Sequence, residues 1–498
     1  MSGPRAQGEV RSGRSVRGVE KITCDVVVVG SGAGGAPAAY ELAARGLDVL
    51  VLEAGPRILP EEFTQHEIDT IRRVYVDQGA QGPADGSIAV LQGRVLGGST
   101  VVNGEVCFRI PDRVLDEWSR EYRVRGLEPR TLEPIFADVE RMIHATVSEG
   151  RHLASSVRFD VGLRKLGIAP RPLLRNVKGC KGCSYCFFGC AYGCKMSMDQ
   201  SYLPAAMEKG ARVICDARVD ALVMDAGRAR GVTARTAEGS LDVHARAVVL
   251  ACGSIETPLM LLDHGLGGMD VGRHLALHPV LFIAAYFDDE MNAYKNNAFL
   301  STYTDAFQEE GFLIEVGATT PTFGAAGLSG FGRMHKELAR DLVRSGACGA
   351  VIRDSGLGRV RRDRKGRKVI DYALDAKTTA RVRLALKRTG EIAFASGARK
   401  VTFATTVPRI FDSMDDLEAG LPSLPLGPAD IAFVSYHPQG TARMGAVTDH
   451  DGGVHGTQGL YVMDASLFPS PVGVNTQVPV MAVATALARR LGDRLTES

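Results

Sequence analysis

The stretch Cys24–Gly55, CDVVVVGSGAGGAPAAYELAARGLDVLVLEAG, decides the fold. Its apolar, β-branched run Cys24–Val29 reads as a buried strand. A glycine-rich turn follows, then a helical pattern over Ala36–Arg45, then a second apolar run, Val49–Leu52, that ends at Glu53. Strand, turn, helix and strand make a right-handed βαβ unit on a parallel sheet. Within it Gly30, Gly32 and Gly35 match G-x-G-x-x-G. The first lets the chain turn tightly, the second lets backbone approach a pyrophosphate, and the third lets helix pack on strand. Phosphates then sit at the helix N-terminus, where free N–H groups and the dipole favour anions. Glu53 stands where an acid accepts from ribose hydroxyls, which disfavours a 2′-phosphate and suits FAD or NAD better than NADP.

Working outward, Ala211–Asp216, Ala221–Met224 and Ala247–Ala251 read as further strands of the same sheet. From about Pro279 to Pro425 short alternating strands, Leu281–Phe287 and Phe312–Val316 among them, mix with amphipathic helices, and a basic loop, Arg359–Lys368, separates two elements. This predicts an antiparallel sheet with helices on one side, inserted into the first domain. The fold class is therefore α/β: an FAD- or NAD-binding Rossmann-like domain with an inserted α+β substrate domain built on an antiparallel sheet. The divisions expected are a disordered tail over 1–21, nucleotide-domain parts over 22–143, 197–285 and 428–498, a Cys-rich loop and cap over 144–196, and the substrate domain over 286–427. The closing helix is expected over Val478–Leu491.

Bulk properties remove several function classes. A chain of 498 residues is too long for one simple core. A formal net charge of +2 gives no reason to expect nucleic acid. No run of about 18 apolar residues suggests a spanning helix. The basic, Gly/Ser-rich opening MSGPRAQGEVRSGRSVRGVEK lacks the apolar core of an export signal, so the expected location is cytoplasmic.

Four segments, in order, resemble the glucose–methanol–choline (GMC) oxidoreductase family: the glycine-rich unit, GRVLGGSTVVNG (Gly93–Gly104), ACGSIETPLMLL (Ala251–Leu262), and HPQGTARMG followed by VMDASLFPSPVGVNTQVPVMAVATALA. VGRHLALHP (Val271–Pro279) is similar to the family's short motif after the second signature. The resemblance covers both ends and most of the nucleotide domain. It implies that Gly97, Gly98 and Ser99 lie along a flavin and that Asn103 faces its reacting side. Val219 would meet the adenine through its backbone, and Asp464 would lie near the pyrophosphate–ribityl region. Relatives with a tethered flavin carry His where this chain has Val102, so the FAD is expected to be noncovalent.

The resemblance places the chemistry on His437, in HPQGT, and Asn475, in GVNTQVP. Hydride leaves an alcohol carbon more easily once the hydroxyl proton is leaving, and a histidine, near pKa 6.5 unperturbed, is a suitable base. Asparagine takes no proton, so its expected role is to donate to the substrate oxygen and hold the reacting carbon over flavin N5. The activity implied is oxidation of a small-molecule alcohol; a bulky apolar or sterol-like alcohol and a sugar both stay open, and the GVN form resembles the sterol-oxidase branch more than the sugar-oxidase branch. His278, beside Pro279, reads as structural, and Glu315, in a strand of the substrate sheet, as an exposed carboxylate.

Five of the ten cysteines fall between Cys180 and Cys194. Cys180, Cys183, Cys186 and Cys190 have the C-x2-C-x2-C-x3-C spacing of a ferredoxin run, with Ala191 where proline would follow. An iron–sulfur cluster, zinc, a disulfide and a purely structural loop are the alternatives. The choice bears on the electron acceptor: an electron-transfer protein or quinone if a cluster is present, oxygen if not. Two other functions compete with alcohol oxidation, an electron-transfer subunit carrying an iron–sulfur cluster and a non-redox lyase of the same family.

Overall fold

A computed structural model of the protein describes residues 10–147, 154–292, 298–318, 320–428 and 430–497. Strand β1 (Gly18–Val29) runs through the middle of the first sheet, and its VVVV end is buried on both faces. The tight turn at Gly30 delivers the chain into helix α1 (Gly35–Ala44), which returns it to strand β2 (Val49–Leu52). Strand β2 pairs in parallel with β1 in the register Val26↔Val49 to Val29↔Leu52. On the other side of β1 lies strand β3 (Gly239–Leu250), also parallel, from Gly18↔Gly239 to Val29↔Leu250. Leu460–Val462 adds to β3 late in the chain, which is how the C-terminus rejoins the nucleotide domain. The C-terminal helix Gln477–Glu497 then packs across α1.

The second sheet has nine strands and is antiparallel except for one parallel pair, Ile88–Val90 with Phe433–Ser435. Its centre is formed by β4 (Val280–Tyr286), β5 (Leu300–Thr304), β6 (Phe312–Gly317) and β7 (Ser345–Ile352). Strand β7 is flanked by β4 and β6, and β5 pairs with β6. One face carries Phe312, Ile314, Val316, Cys348 and Ala350 into a core with Phe159, Leu386 and Ile392. Those residues come from helices Ala154–Lys165 and Ala376–Ala395. Both helices thus cover the same face, and the other looks toward the nucleotide domain, as expected of an α+β insertion.

Several expectations change. Of the predicted disordered tail, residues 1–9 lie outside the described residues. Val10–Ser12 pairs in parallel with Arg212–Cys215, however, and Gly18–Lys21 begins β1. Polar side chains on the exposed end of a long edge-to-centre strand mimic tail composition. For the same reason β3 starts eight residues before the predicted Ala247: its outer half, GSLDVHAR, alternates with the solvent. The predicted basic loop Arg359–Lys368 is an antiparallel hairpin, Gly358–Arg362 with Lys368–Asp371. Its cations are paired, Arg361 with Asp371 and Arg362 with Asp263. The substrate sheet also extends beyond 286–427, since Arg171–Pro172 pairs with β5. Among the described residues no helix is long and apolar enough to cross a membrane.

Trp118 fastens the first part of the nucleotide domain to its last. It is 1% exposed, packs 5.3 Å from the Phe468 ring, and donates from Nε1 to Ser470 Oγ at 2.9 Å. Trp118→Ala is expected to lower the unfolding free energy by about 3–5 kcal/mol. Urea denaturation followed by circular dichroism reads this directly, because the variant removes the one tryptophan.

Candidate active site

A cavity of about 620 Å³ runs from the turn after β1 to the inner face of the substrate sheet. Its size falls in the range of small-molecule and cofactor sites. At one end it is lined by Gly30, Gly32, Glu53, Gly98, Ser99 and, farther out, Val219. Asn103 and Asp464 border its middle, and His437, Asn475 and Glu315 border the end under the substrate sheet. Gly35 and Gly97 stand just behind the lining. Sequence reading therefore brought together residues more than 400 positions apart.

The glycines divide by cause. A Cβ on Gly30, whose φ is +102°, would lie 2.4 Å from Ala251 O; on Gly35 it would lie 1.9 Å from Gly30 O. Protein packing alone excludes a side chain at both. Gly34, which the sequence motif leaves unspecified, is as constrained, with Met463 O 1.9 Å from such a Cβ. Gly32 differs. A Cβ there meets only Gly98 Cα, at 3.8 Å, so the fold tolerates it and it would fill part of the cavity. A bare Gly32 leaves this part of the cavity open, as the close approach of a pyrophosphate would require.

Glu53 is 6% exposed and held in place by donors. Ser31 donates to its Oε2 from N at 3.1 Å and from Oγ at 2.6 Å, and Gly55 N donates to Oε1 at 2.8 Å. Burial raises its pKa and these hydrogen bonds lower it. The carboxyl keeps lone pairs for ribose hydroxyls. Ser31, which sequence reading passed over, also accepts from Gly97 N at 2.9 Å, and so couples Glu53 to the second glycine loop. Ser99 Oγ accepts from Gly93 N at 3.0 Å and closes that loop. Asp464 accepts from Gly253 N, Thr257 Oγ1 and Ser466 N, which ties the start of helix Gly253–Asp263 to the C-terminal segment. Asn103 donates to Gln477 Oε1 at 2.8 Å, and Gln477 donates onward to Val106 O and Asn176 Oδ1. The side chain of Val102 packs with Tyr75, Ile58, Phe63 and Val95, away from the cavity lining.

At the far end the wall is apolar: Phe187, Phe282, Phe299, Leu300 and Tyr436. Phe187 stacks on Tyr436 with centroids 4.8 Å apart and planes 12° off parallel. In this setting His437 is 7% exposed and its Nδ1 has no hydrogen-bond partner. Burial lowers its pKa to about 4, so the imidazole is neutral and able to accept a proton at neutral pH. His278, 5.6 Å away between ring centroids, is fully buried. Its Nε2 lies within hydrogen-bond reach of Gln439 Nε2 and accepts from Gly473 N, while its Nδ1 has no partner. Asn475 Oδ1 is buried without a hydrogen-bond partner. Glu315 was expected to be exposed; it is 8% exposed, and burial drives its pKa up to about 8. Alternation in β6 could have placed Glu315 on one face of the strand, but not told that this face closes a cavity.

The cysteine loop does not assemble as the spacing suggested. Among the described residues no group of three or more His, Cys, Asp or Glu is arranged to hold a metal ion. Of the alternatives for Cys180, Cys183, Cys186 and Cys190, an iron–sulfur cluster is thus not supported by the arrangement of the described residues. The buried guanidinium of Arg175, paired with Glu105, stands against the Cys180 and Cys186 sulfurs instead. Cys190 Sγ accepts from Cys194 N, and burial pushes the thiols of Cys183 and Cys186 up. The local turn Cys186–Phe188 carries Phe187 into the cavity wall.

Family models described as GMC oxidoreductase match residues 71–280 and 355–484, and one described as an NAD(P)-binding Rossmann-like domain matches 28–82. An uncharacterized GMC-type oxidoreductase of Mycobacterium tuberculosis is 37% identical over 93% of this chain and 75% of its own. Long-chain-alcohol oxidase FAO4B of Arabidopsis thaliana is 29% identical over 96% of this chain and 68% of its own. Pyridoxine 4-oxidase superposes with a TM-score of 0.70 at 18% identity, over 94% of this chain and 99% of its own. An Aspergillus oryzae formate oxidase, in a structure concerned with modification of its FAD, gives 0.70 at 15% identity over 97% and 100%.

The two kinds of glycine separate experimentally. Gly34→Ala is expected to destabilise the fold, since backbone must move to relieve the clash at Met463 O. Gly32→Ala is expected to leave the stability of the flavin-free protein within about 0.5 kcal/mol while lowering the flavin it retains through purification. Denaturant unfolding of both apo-proteins, with absorbance of the purified holo-forms, distinguishes them.

Proposed function

Since this chain belongs to the GMC oxidoreductase family, a family of flavoproteins, we propose that it oxidises the CH–OH group of a bulky apolar alcohol, with FAD bound noncovalently and His437 as the base. One observation carries the reading. His437 Nδ1 and Asn475 Oδ1 are buried, unpartnered polar atoms on residues that border the same aromatic-walled cavity. Unpaired polar groups are costly in such surroundings and point to a ligand that completes them.

The residues fit the cofactor. Gly32 and Gly98 leave bare backbone where a pyrophosphate approaches, Glu53 offers lone pairs to a ribose, and Val219 borders the end that receives the adenine. Asp464 and Asn103 border the middle, and Val102 offers no atom to which a flavin could be tethered. FAD, when bound, supplies the acceptor at N5 for the hydride that leaves the alcohol carbon.

The protein's own part is proton handling and positioning. His437, neutral above about pH 4, takes the hydroxyl proton as the carbonyl forms. The alcohol carbon gives up its hydride, the hydroxyl oxygen gives up its proton to the imidazole, and a carbonyl double bond is left. Asn475 orients the substrate oxygen. Phe282, Phe299 and Leu300 exclude water and accept a long alkyl or fused-ring body, which a sugar could not match with hydrogen bonds here. The Arabidopsis relative named as a long-chain-alcohol oxidase points to the same substrate class.

Anaerobic bleaching of the flavin by dodecanol, a sterol and glucose in turn tests the proposal. Bleaching by the apolar alcohols and not by glucose is expected; no bleaching by any of them overturns it. His437→Ala is expected to retain flavin but slow reduction by about 10²–10⁴-fold, measured by stopped flow. Because burial holds His437 near about 4, the acid limb of the wild-type reduction rate is expected near that pH rather than near 6.5.

A further inference from the structure

Of the described residues in the run Cys180–Cys194, Phe187 alone lines the cavity. It stands close to the polar pair, for Tyr436, on which its ring stacks, is followed in the chain by His437. Phe299 meets the same ring edge-on, with centroids 4.6 Å apart. Behind it, 6.3 Å away, lies Phe323, which packs edge-on with Phe188 at 6.2 Å. Neither Phe323 nor Phe188 lines the cavity, so they form a second layer. Beyond that layer the helix that carries Phe323, Pro321–Ala326, exposes Pro321 and Thr322. Two layers of rings thus separate the cavity from the surface here.

The backbone that presents Phe187 is anchored. Tyr75 Oη donates to Phe187 O at 2.8 Å, and Lys195 Nζ donates to Cys186 O at 2.6 Å. A Cβ on Gly189, whose φ is +82°, would lie 2.2 Å from the Phe63 ring, so the turn ends in packing that no side chain permits. A ring packed against its neighbours, on a backbone pinned at both of these carbonyls, has few rotamers open to it. It is a fixed wall, not a swinging flap.

We propose that Phe187 sets the length of the alcohol that the site accepts. The hydroxyl meets His437 and Asn475, the carbon chain runs along the Tyr436 and Phe299 rings, and its end stops against Phe187. This deepens the reading of the site as one for a bulky apolar alcohol, and rests on it. The share of the cysteine-rich run in the site is then a tight, anchored turn that presents one ring.

The test measures where added chain length ceases to help. Each methylene that enters apolar surroundings tightens binding about fourfold, so the length at which the gain ends marks the wall. Straight-chain primary amides, from hexanamide to hexadecanamide, are suitable probes because they carry no CH–OH group to oxidise. Their binding to the holoenzyme is read from the change they cause in flavin absorbance. In the wild type, affinity is expected to rise with length and then level off. In Phe187→Ala, which vacates the volume of a benzyl group, levelling is expected about two or more methylenes later. Phe282→Ala thins the wall at β4 instead and is expected to leave the levelling length unchanged. Stopped-flow flavin reduction by the matching primary alcohols is expected to follow the same order. An unchanged levelling length in Phe187→Ala, a shift in Phe282→Ala in its place, or no dependence on length in the wild type overturns the proposal. Should Phe187→Ala not retain flavin, Phe187→Leu decides it: a shift of about one methylene is expected, and none overturns it. If no alcohol reduces the flavin, the reading of function fails by itself, while the amide series still locates the wall.

Discussion

Close approach of backbone to backbone around the first turn is the constraint on which the rest of the structure depends. Carbonyls of Gly30, Ala251 and Met463 come so near to Gly35, Gly30 and Gly34 that no side chain fits at any of the three. Those carbonyls belong to three separate stretches of chain, the turn itself, the end of β3 and the C-terminal segment. The contacts therefore gather the beginning, middle and end of the sequence at one point. Asp464 fixes the same junction by polar means, accepting from Gly253, Thr257 and Ser466. Burial raises the pKa of this carboxyl, and its donors oppose the rise without cancelling it. The cavity is what remains between these fastened pieces and the substrate sheet.

Its two ends are built on opposite electrostatic terms. The nucleotide end is bordered by bare backbone, hydroxyls and the solvated Arg218 and Asp220. The far end is walled by aromatic rings in which each polar group pays for its position: His437 falls to about 4 and Glu315 rises to about 8. Burial moves an acid and a base toward their neutral forms alike. The result at neutral pH is a chamber with an uncharged base and an uncharged acid, which suits an apolar substrate and proton removal without a standing charge. Paired titratable groups pushed apart by surroundings are a frequent mark of reaction sites.

What could be read from sequence follows from what is local. The β1–α1–β2 unit was legible because its periodicities and glycines are contiguous, and the predicted β2 and the structure agree residue for residue. Gly34 was missed because the clash that fixes it comes from Met463, more than 400 positions away. The strands β1 and β3 were read too short, since their outer halves alternate with solvent and lack the apolar run of their inner halves. Glu315 was assigned to the surface on the general rarity of buried carboxylates; only the fold shows which face of β6 closes the cavity. The ferredoxin-like spacing misled in the same way. Spacing describes only the cysteines, whereas the group that stands against the Cys180 and Cys186 sulfurs is the guanidinium of Arg175, which precedes the run.

The cysteine loop is better understood from the cation at its end. Lys195 is 1% exposed, and its ammonium donates to the carbonyls of Val101, Asn103 and Cys186 at 3.0, 2.8 and 2.6 Å. An ammonium has three protons, so its donor capacity is fully used. Two of the carbonyls belong to the loop that carries Asn103 and the third to the turn that carries Phe187. One buried lysine thus joins the segment bordering the middle of the cavity to the segment forming its aromatic wall. Neutral replacement of Lys195 would leave three buried carbonyls without donors, each a loss of the order of 1–3 kcal/mol. The loop contributes through its anchored backbone and the ring it positions rather than through convergence of its sulfurs.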